Sequence, residues 1–177
     1  LLGAETAIPD ESLVSQDIIW ETFPQMPTGR ELAGFARLHS PLTLDKVGPD
    51  QALMNWLDIE FETFRSLERR DVHDRLQQGF FQNNDIDVEG FIQFSTSVLN
   101  RRKSRAGKSL EYHLEYIFRT HNVLFSSQKH TEGKNQPDFL FPGIAQYQQE
   151  AFPEHLLTFL AAKRTLKDRW RQVLSEA

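Results

Sequence analysis

The sequence predicts an α/β domain with a mixed central sheet flanked by helices. Three observations lead there. The second half of the chain reads as helix, strand, strand, strand, helix. The 177 residues are enough for one well-buried core. The hydrophobic fraction of 39% and the charged fraction of 25% are those of a globular chain. We read residues 1–177 as one domain, with 1–100 mostly loops and helices and 101–177 carrying the chemistry.

Taken in order, residues 1–50 are rich in turn formers, including Pro9, Pro24, Pro27, Pro41, Pro49, Gly29, Gly34 and Gly48, so loops and short elements are expected. Residues 51–69 predict a helix, because Leu53, Leu57, Phe61 and Phe64 share one stripe that Leu67 extends. A second helical stretch runs on through Leu76 and Phe80, and Asn83-Asn84-Asp85 breaks it. Val88 to Leu99 reads as helical, and residues 109–121 as a separate helix opened by Ser109, with Leu110, Leu114, Ile117 and Phe118 as its apolar stripe. Val123 and Phe125 alternate as in a strand, Thr131 to Gln136 is a polar turn, and Asp138 to Phe141 is a short strand closed by Pro142-Gly143. His155 to Ala162 is an apolar run of strand length. Thr165 opens the last helix, Thr165 and Asp168 fit a capping box, and Leu166, Trp170, Val173 and Leu174 form the buried face.

Several function classes are excluded. No run of about 18 apolar residues occurs, so no membrane span is expected, and no signal-peptide pattern opens the chain. The lack of cysteine rules out disulfides and thiolate metal sites and fits the cytoplasm. The chain opens on Leu1 rather than Met, and we expect a fragment of a longer protein. Gly107-Lys108-Ser109 is not a P-loop, because that motif needs glycine where Arg102 stands. There is no GxGxxG or HExxH motif, and the six histidines lack zinc-ligand spacing.

The net charge of −5 argues at first against a nucleic-acid partner, but the charge is unevenly spread. Residues 101–108 hold five cations, and residues 163–171 hold five more with one acid. These two segments total +9 and the remainder −14. A polyanion is drawn to such patches, although either run alone also suits a solvated surface. Arg101, Arg102, Lys103, Arg105 and Lys108 are therefore candidate phosphate contacts, which position a protein on DNA without reading sequence.

Chemistry concentrates at Asp138 and Lys163. A carboxylate at the start of a buried strand must be paired or hold a cation. Lys163 ends the next apolar strand, so one sheet would bring the two together. An Asp that holds Mg2+ and a lysine that orients water at a phosphate suit phosphodiester hydrolysis. A capping Asp and a surface Lys are the plain alternative. Tyr147 lies between the two strands; its phenol is either structural or within reach of the phosphate.

Pro137-Asp138, followed by an apolar strand ending in Lys163, resembles the frame of the PD-(D/E)XK nucleases, except that Ala161 stands where the frame carries an acid. Lys163, twelve residues, then Glu176 resembles the relocated acid of restriction enzymes that read CCGG-type sites. The resemblance implies a third metal acid from an earlier helix, either Glu111 or, one turn later, Glu115, with Glu111 preferred. Four segments in order narrow it further: Arg105 to Glu111, Thr131 to Lys134, Pro137 to Gly143, and Lys163 to Trp170 resemble the catalytic domain of the EcoRII-type restriction endonucleases. That resemblance implies a restriction-endonuclease-like mixed sheet, Mg2+-dependent cleavage of double-stranded DNA at CCWGG (W is A or T), and a homodimer. It also implies a separate N-terminal effector domain in the parent protein and a methyltransferase partner. It assigns metal binding to Asp138, Glu111 and Glu176, and chemistry to Asp138, Lys163, Glu176 and Tyr147.

Lys167, Asp168 and Arg169 match a segment with which relatives read CC:GG pairs. Arg or Lys donates to guanine O6 and N7, and Asp accepts from cytosine N4. Asp168 cannot easily cap its helix and read a base at once, so both roles stay open. The resemblance further implies extrusion of the central bases, since a two-fold axis through the W pair prevents identical contacts to both. Trp20, Trp56 and several Phe residues are candidates for that pocket or for the core. Three other classes remain in view: a structure-specific repair or junction nuclease, a DNA-binding module whose site has decayed at Ala161, and a protein-interaction domain with incidental basic patches.

Overall fold

The computed structural model describes residues 14–131 and 135–162. A helical body forms first: α1 (Gln16–Thr22), α2 (Gly29–His39), α3 (Leu44–Val47) and α4 (Pro49–Gln78). A two-residue-per-strand hairpin, β1 (Phe81–Gln82) and β2 (Asp85–Ile86), leads into α5 (Val88–Thr120). Then come β3 (Ser126–Ser127), β4 (Phe139–Phe141), α6 (Ile144–Tyr147), a 3-10 turn at Glu154–Leu156 and β5 (Thr158–Leu160). Among the described residues no helix is long and apolar enough to cross a membrane.

Local chemistry sets the helix limits. Thr28 and Glu31 close a full capping box on α2, each bonding the other's backbone. The Glu31 carboxyl is held below its ordinary range, chiefly by the Thr28 N–H. Pro49 occupies the first turn of α4, and glycines with positive φ flank that helix, Gly48 at 79° and Gly79 at 72°. Asp87 caps α5 by accepting from the Gly90 N–H at 2.9 Å.

The two helical stretches expected between 51 and 80 are one helix of 30 residues, and those expected at 88–99 and 109–121 are one of 33. The basic run between the latter two is itself helical, since Arg, Lys and Ala are strong helix formers. Ser109 does not open a helix; it is buried within α5. Val123 and Phe125 lie outside any strand, because the chain turns at Asn122 (φ 55°) and Val123 N–H bonds back to Phe118 O at 2.9 Å. The expected strand from His155 shrinks to three residues: Pro153 starts a turn in which Leu156 and Leu157 N–H groups bond locally. The expected last helix lies outside the described residues.

The sheet order is β3-β4-β5, with Ser127 paired to Phe139 and Phe139 to Leu160. Both pairings are antiparallel, so among the described residues this sheet is antiparallel rather than mixed. It docks on α5 through four phenylalanines. Phe118 of α5 meets Phe139 at 5.2 Å and Phe141 at 5.1 Å, both edge-on, and Phe125 at 5.7 Å.

The main apolar core joins α1, α2 and α4 through Ile19, Leu32, Phe35, Ile59, Phe64 and Leu67. Polar groups join α4 to α5. Glu60 and His113 are fully buried, with Glu60 Oε2 and His113 Nε2 2.9 Å apart. Arg37 of α2 donates to His113 Nδ1 at 3.2 Å. A guanidinium only donates, so Nδ1 accepts, and the proton on Nε2 points to Glu60. Arg105 approaches the other Glu60 oxygen at 3.5 Å and lies over the rings of Phe61 and Phe64. Burial pushes the Arg37 guanidinium down from its ordinary pKa.

Removing one partner of a buried charged pair typically costs about 3–5 kcal/mol. Glu60→Ala deletes the acceptor that His113 and Arg105 share and should destabilise the fold by about that much. Urea denaturation reads it; a loss under ~1 kcal/mol would show that the network does not hold α4 to α5.

Candidate active site

Asp138 immediately precedes β4 and is buried. Its Oδ2 accepts the Ala162 backbone N–H at 2.8 Å. In the β4–β5 register, position 138 stands opposite 161, so Ala161 faces Asp138 where the nuclease frame carries an acid. The bond at Ala162 therefore ties Asp138 to the chain one residue before Lys163. The strands next to these two positions pair in one sheet. Lys163 itself lies outside the described residues, as do Lys167, Asp168, Arg169 and Glu176.

The α5 residues beside the sheet are polar but buried. Glu111 is 8% exposed; Lys108 Nζ lies 2.9 and 3.2 Å from its two oxygens, and Gln128 Nε2 donates to it at 2.7 Å. Glu115 is equally buried, 2.9 Å from Arg30 and 2.8 Å from Arg119. Burial alone would raise the Glu115 carboxyl, but hydrogen bonds from Arg119 and Arg30 outweigh it and hold the group below its ordinary value. Lys108, Glu111, Glu115, Arg30, Tyr112 and Gln128 line a cavity of about 200 Å³ that Phe139 also reaches.

This arrangement distinguishes the two rival acids. Glu115 is clamped by two guanidinium groups, whereas Glu111 shares its cavity face with one flexible ammonium and one amide. Gln128 and Arg30 carried no signal in the sequence: the first sits in a polar loop and the second on a helix distant along the chain. Tyr147 ends α6, and its ring meets Phe159 of β5 edge-on at 5.8 Å.

Residues 64–177 match the family described as EcoRII C terminal. The chain is also 42% identical, over 154 residues, to the type II restriction enzyme EcoRII of Escherichia coli. That match covers 86% of this chain and 36% of the enzyme, so the chain spans about a third of its relative's length. The chain belongs to the EcoRII C-terminal family.

In this EcoRII-type domain, the cations of residues 101–108 are mostly engaged by acids. Arg101 pairs with Asp71, and Arg102 forks onto Glu68 with contacts of 2.6 to 2.9 Å. Arg105 is turned inward, its side chain 9% exposed against Glu60. Lys108 bonds Glu111, and Lys103 is exposed to solvent. Trp56 is core, whereas Trp20 is partly exposed and donates to Ser66 Oγ at 3.1 Å.

Asp138 and Glu111 are oxygen donors of the kind a hard divalent cation takes. Gln128 bonds the Glu111 carboxylate through its side chain and the Asp138 main-chain carbonyl through its backbone N–H, the latter at 3.3 Å. Among the described residues no three acids or histidines cluster as a metal site. The donor set thus fits Mg2+ as part of a shell that needs a further acid.

Because the folded Glu115 carboxyl titrates below its unfolded value, the stability it confers is present above the ordinary carboxylate range. It fades as the pH falls through the lower, folded value. Glu115→Gln should therefore flatten the acid limb of a stability-versus-pH curve while changing the neutral plateau less. An unchanged acid limb in urea titrations would contradict the Arg30–Glu115–Arg119 clamp.

Proposed function

We propose that the chain is the catalytic domain of a type II restriction endonuclease, hydrolysing phosphodiester bonds of double-stranded DNA at CCWGG with Mg2+. The observation that carries this reading is the bond from Ala162 N–H to Asp138, which holds the acid beside the strand end that leads to Lys163, in a chain of the EcoRII C-terminal family. Asp138, Glu111 and Glu176 would hold the metal, which supplies charge stabilisation at the phosphate oxygens.

The remaining roles belong to side chains. The Lys163 ammonium orients the attacking water. Tyr147, braced on Phe159, stands near the phosphate. Lys167 and Arg169 donate to guanines, and Asp168 accepts from cytosine. Lys103, exposed on α5, contacts backbone phosphates. Two copies act on the palindrome in the cytoplasm and extrude the central pair. A separate effector domain in the longer parent protein accords with the chain spanning 36% of EcoRII.

The test is digestion of a plasmid carrying CCWGG and CCSGG (S is G or C) sites, with Mg2+ and with EDTA, followed by sequencing of the cut ends. Mg2+-dependent cuts at CCWGG alone are expected, and Lys163→Ala should abolish them while leaving specific binding intact. No cleavage with any divalent metal would favour a DNA-binding module, for which Ala161 opposite Asp138 is the supporting feature. Cuts unrelated to sequence would favour a repair nuclease.

Arg169→Ala should weaken specific binding by about 1–3 kcal/mol and relax preference at one G:C pair. Binding titrations on cognate and mismatched duplexes measure this. An equal loss on every duplex would make Arg169 a phosphate contact.

A further inference from the structure

We infer that Gln128 is the positioning residue that orients the metal acid Glu111 beside the backbone of Asp138. The inference rests on the reading of those acids given above and adds a residue to it. Gln128 bonds both: its side-chain Nε2 donates to Glu111 Oε2 at 2.7 Å, and its backbone N–H donates to the Asp138 carbonyl at 3.3 Å. Its own carbonyl accepts from Gln136 Nε2 at 2.8 Å. Backbone N–H, backbone carbonyl and side-chain amide are all engaged.

The backbone at Gln128 has a φ of 55°, a left-handed conformation that a non-glycine residue keeps only when its surroundings enforce it. Here the surroundings are the end of β3, where Ser127 pairs with Phe139, and the Gln136 bond. The turn ends the ladder and delivers the amide across to α5. Glu111 and Asp138 come from elements 27 residues apart in sequence. The Phe118 contacts to Phe139 and Phe141 hold those elements together, and the Gln128 amide fixes the Glu111 carboxylate within that frame.

An amide that holds one carboxylate oxygen limits the directions in which Glu111 can present its remaining lone pairs. Outer contacts of this kind typically change metal affinity by about 10–100-fold when removed. Gln128 is itself exposed, so its side chain carries little of the core.

The test compares Gln128→Met, close in size but without the donor, with the parent chain. Mn2+ binding without DNA is measured by calorimetry, and cleavage is measured across a Mg2+ series. We expect a Mn2+ Kd raised about 10-fold or more. The Mg2+ needed for half-maximal cleavage should rise in parallel, with kcat at saturating metal recovering most of the parent value. A Mn2+ Kd equal to the parent's overturns the inference. So does a Tm lowered by more than ~5 °C, which would make Gln128 a folding residue. Glu111→Gln separates the two levels. If it binds Mn2+ and cuts as the parent does, the assignment of Glu111 falls; if it is inactive while Gln128→Met matches the parent, only the role of Gln128 falls.

Discussion

A carboxylate with no exposure to water, that of Glu60, sits between the two long helices. An isolated charge in that place would cost several kcal/mol, so the chain must supply donors to it. They come from α5, as His113 and Arg105, with Arg37 of α2 completing the set behind His113. Apolar contacts alone allow helices to slide by a turn with modest change in buried area. A buried acid with directional partners does not, because each slip strands a charge. The register of α4, α5 and α2 follows from this group. The same register places Glu111, Glu115 and Phe118 beside the sheet, where Phe118 grips β4 through Phe139 and Phe141.

The basic run of α5 serves the same purpose over most of its length. Arg101, Arg102 and Arg105 each meet an acid of α4, namely Asp71, Glu68 and Glu60. An Arg fork matches a carboxylate geometrically, so such pairs specify a helix register better than lysines would. The run is therefore a strap between helices as well as a local excess of positive charge. Going inward from Arg102 to Arg105, exposure falls and the cation passes from surface electrostatics to the fold.

Asp138 accepts a backbone N–H that would otherwise be orphaned where β5 ends, and that bond fixes the side chain before any ligand arrives. In the proposed metal role, an acid already held by the backbone would lose little entropy on taking up a cation. Ala161 opposite it leaves room where a second carboxylate would repel the first.

Sequence periodicity located α4, the C-terminal half of α5, and strands near 139 and 158, because each carries an apolar pattern that burial requires. The motif reading likewise singled out Asp138 and the Lys163 strand end, since local order along the chain is all that a Pro-Asp start and a strand-ending lysine need. The unbroken length of α5 was hidden, because its middle is polar and is stabilised by acids 30 or more residues away. The apolar stripe expected on α5 was likewise only partly right. His113, Glu111 and Glu115 are buried there because charge pairing, which has no periodic signature, chose the face. Gln128 and Arg30 became visible only in three dimensions. A hydrogen bond between residues distant in sequence leaves no trace in composition or spacing, so tertiary packing alone decided which polar groups meet the candidate acids.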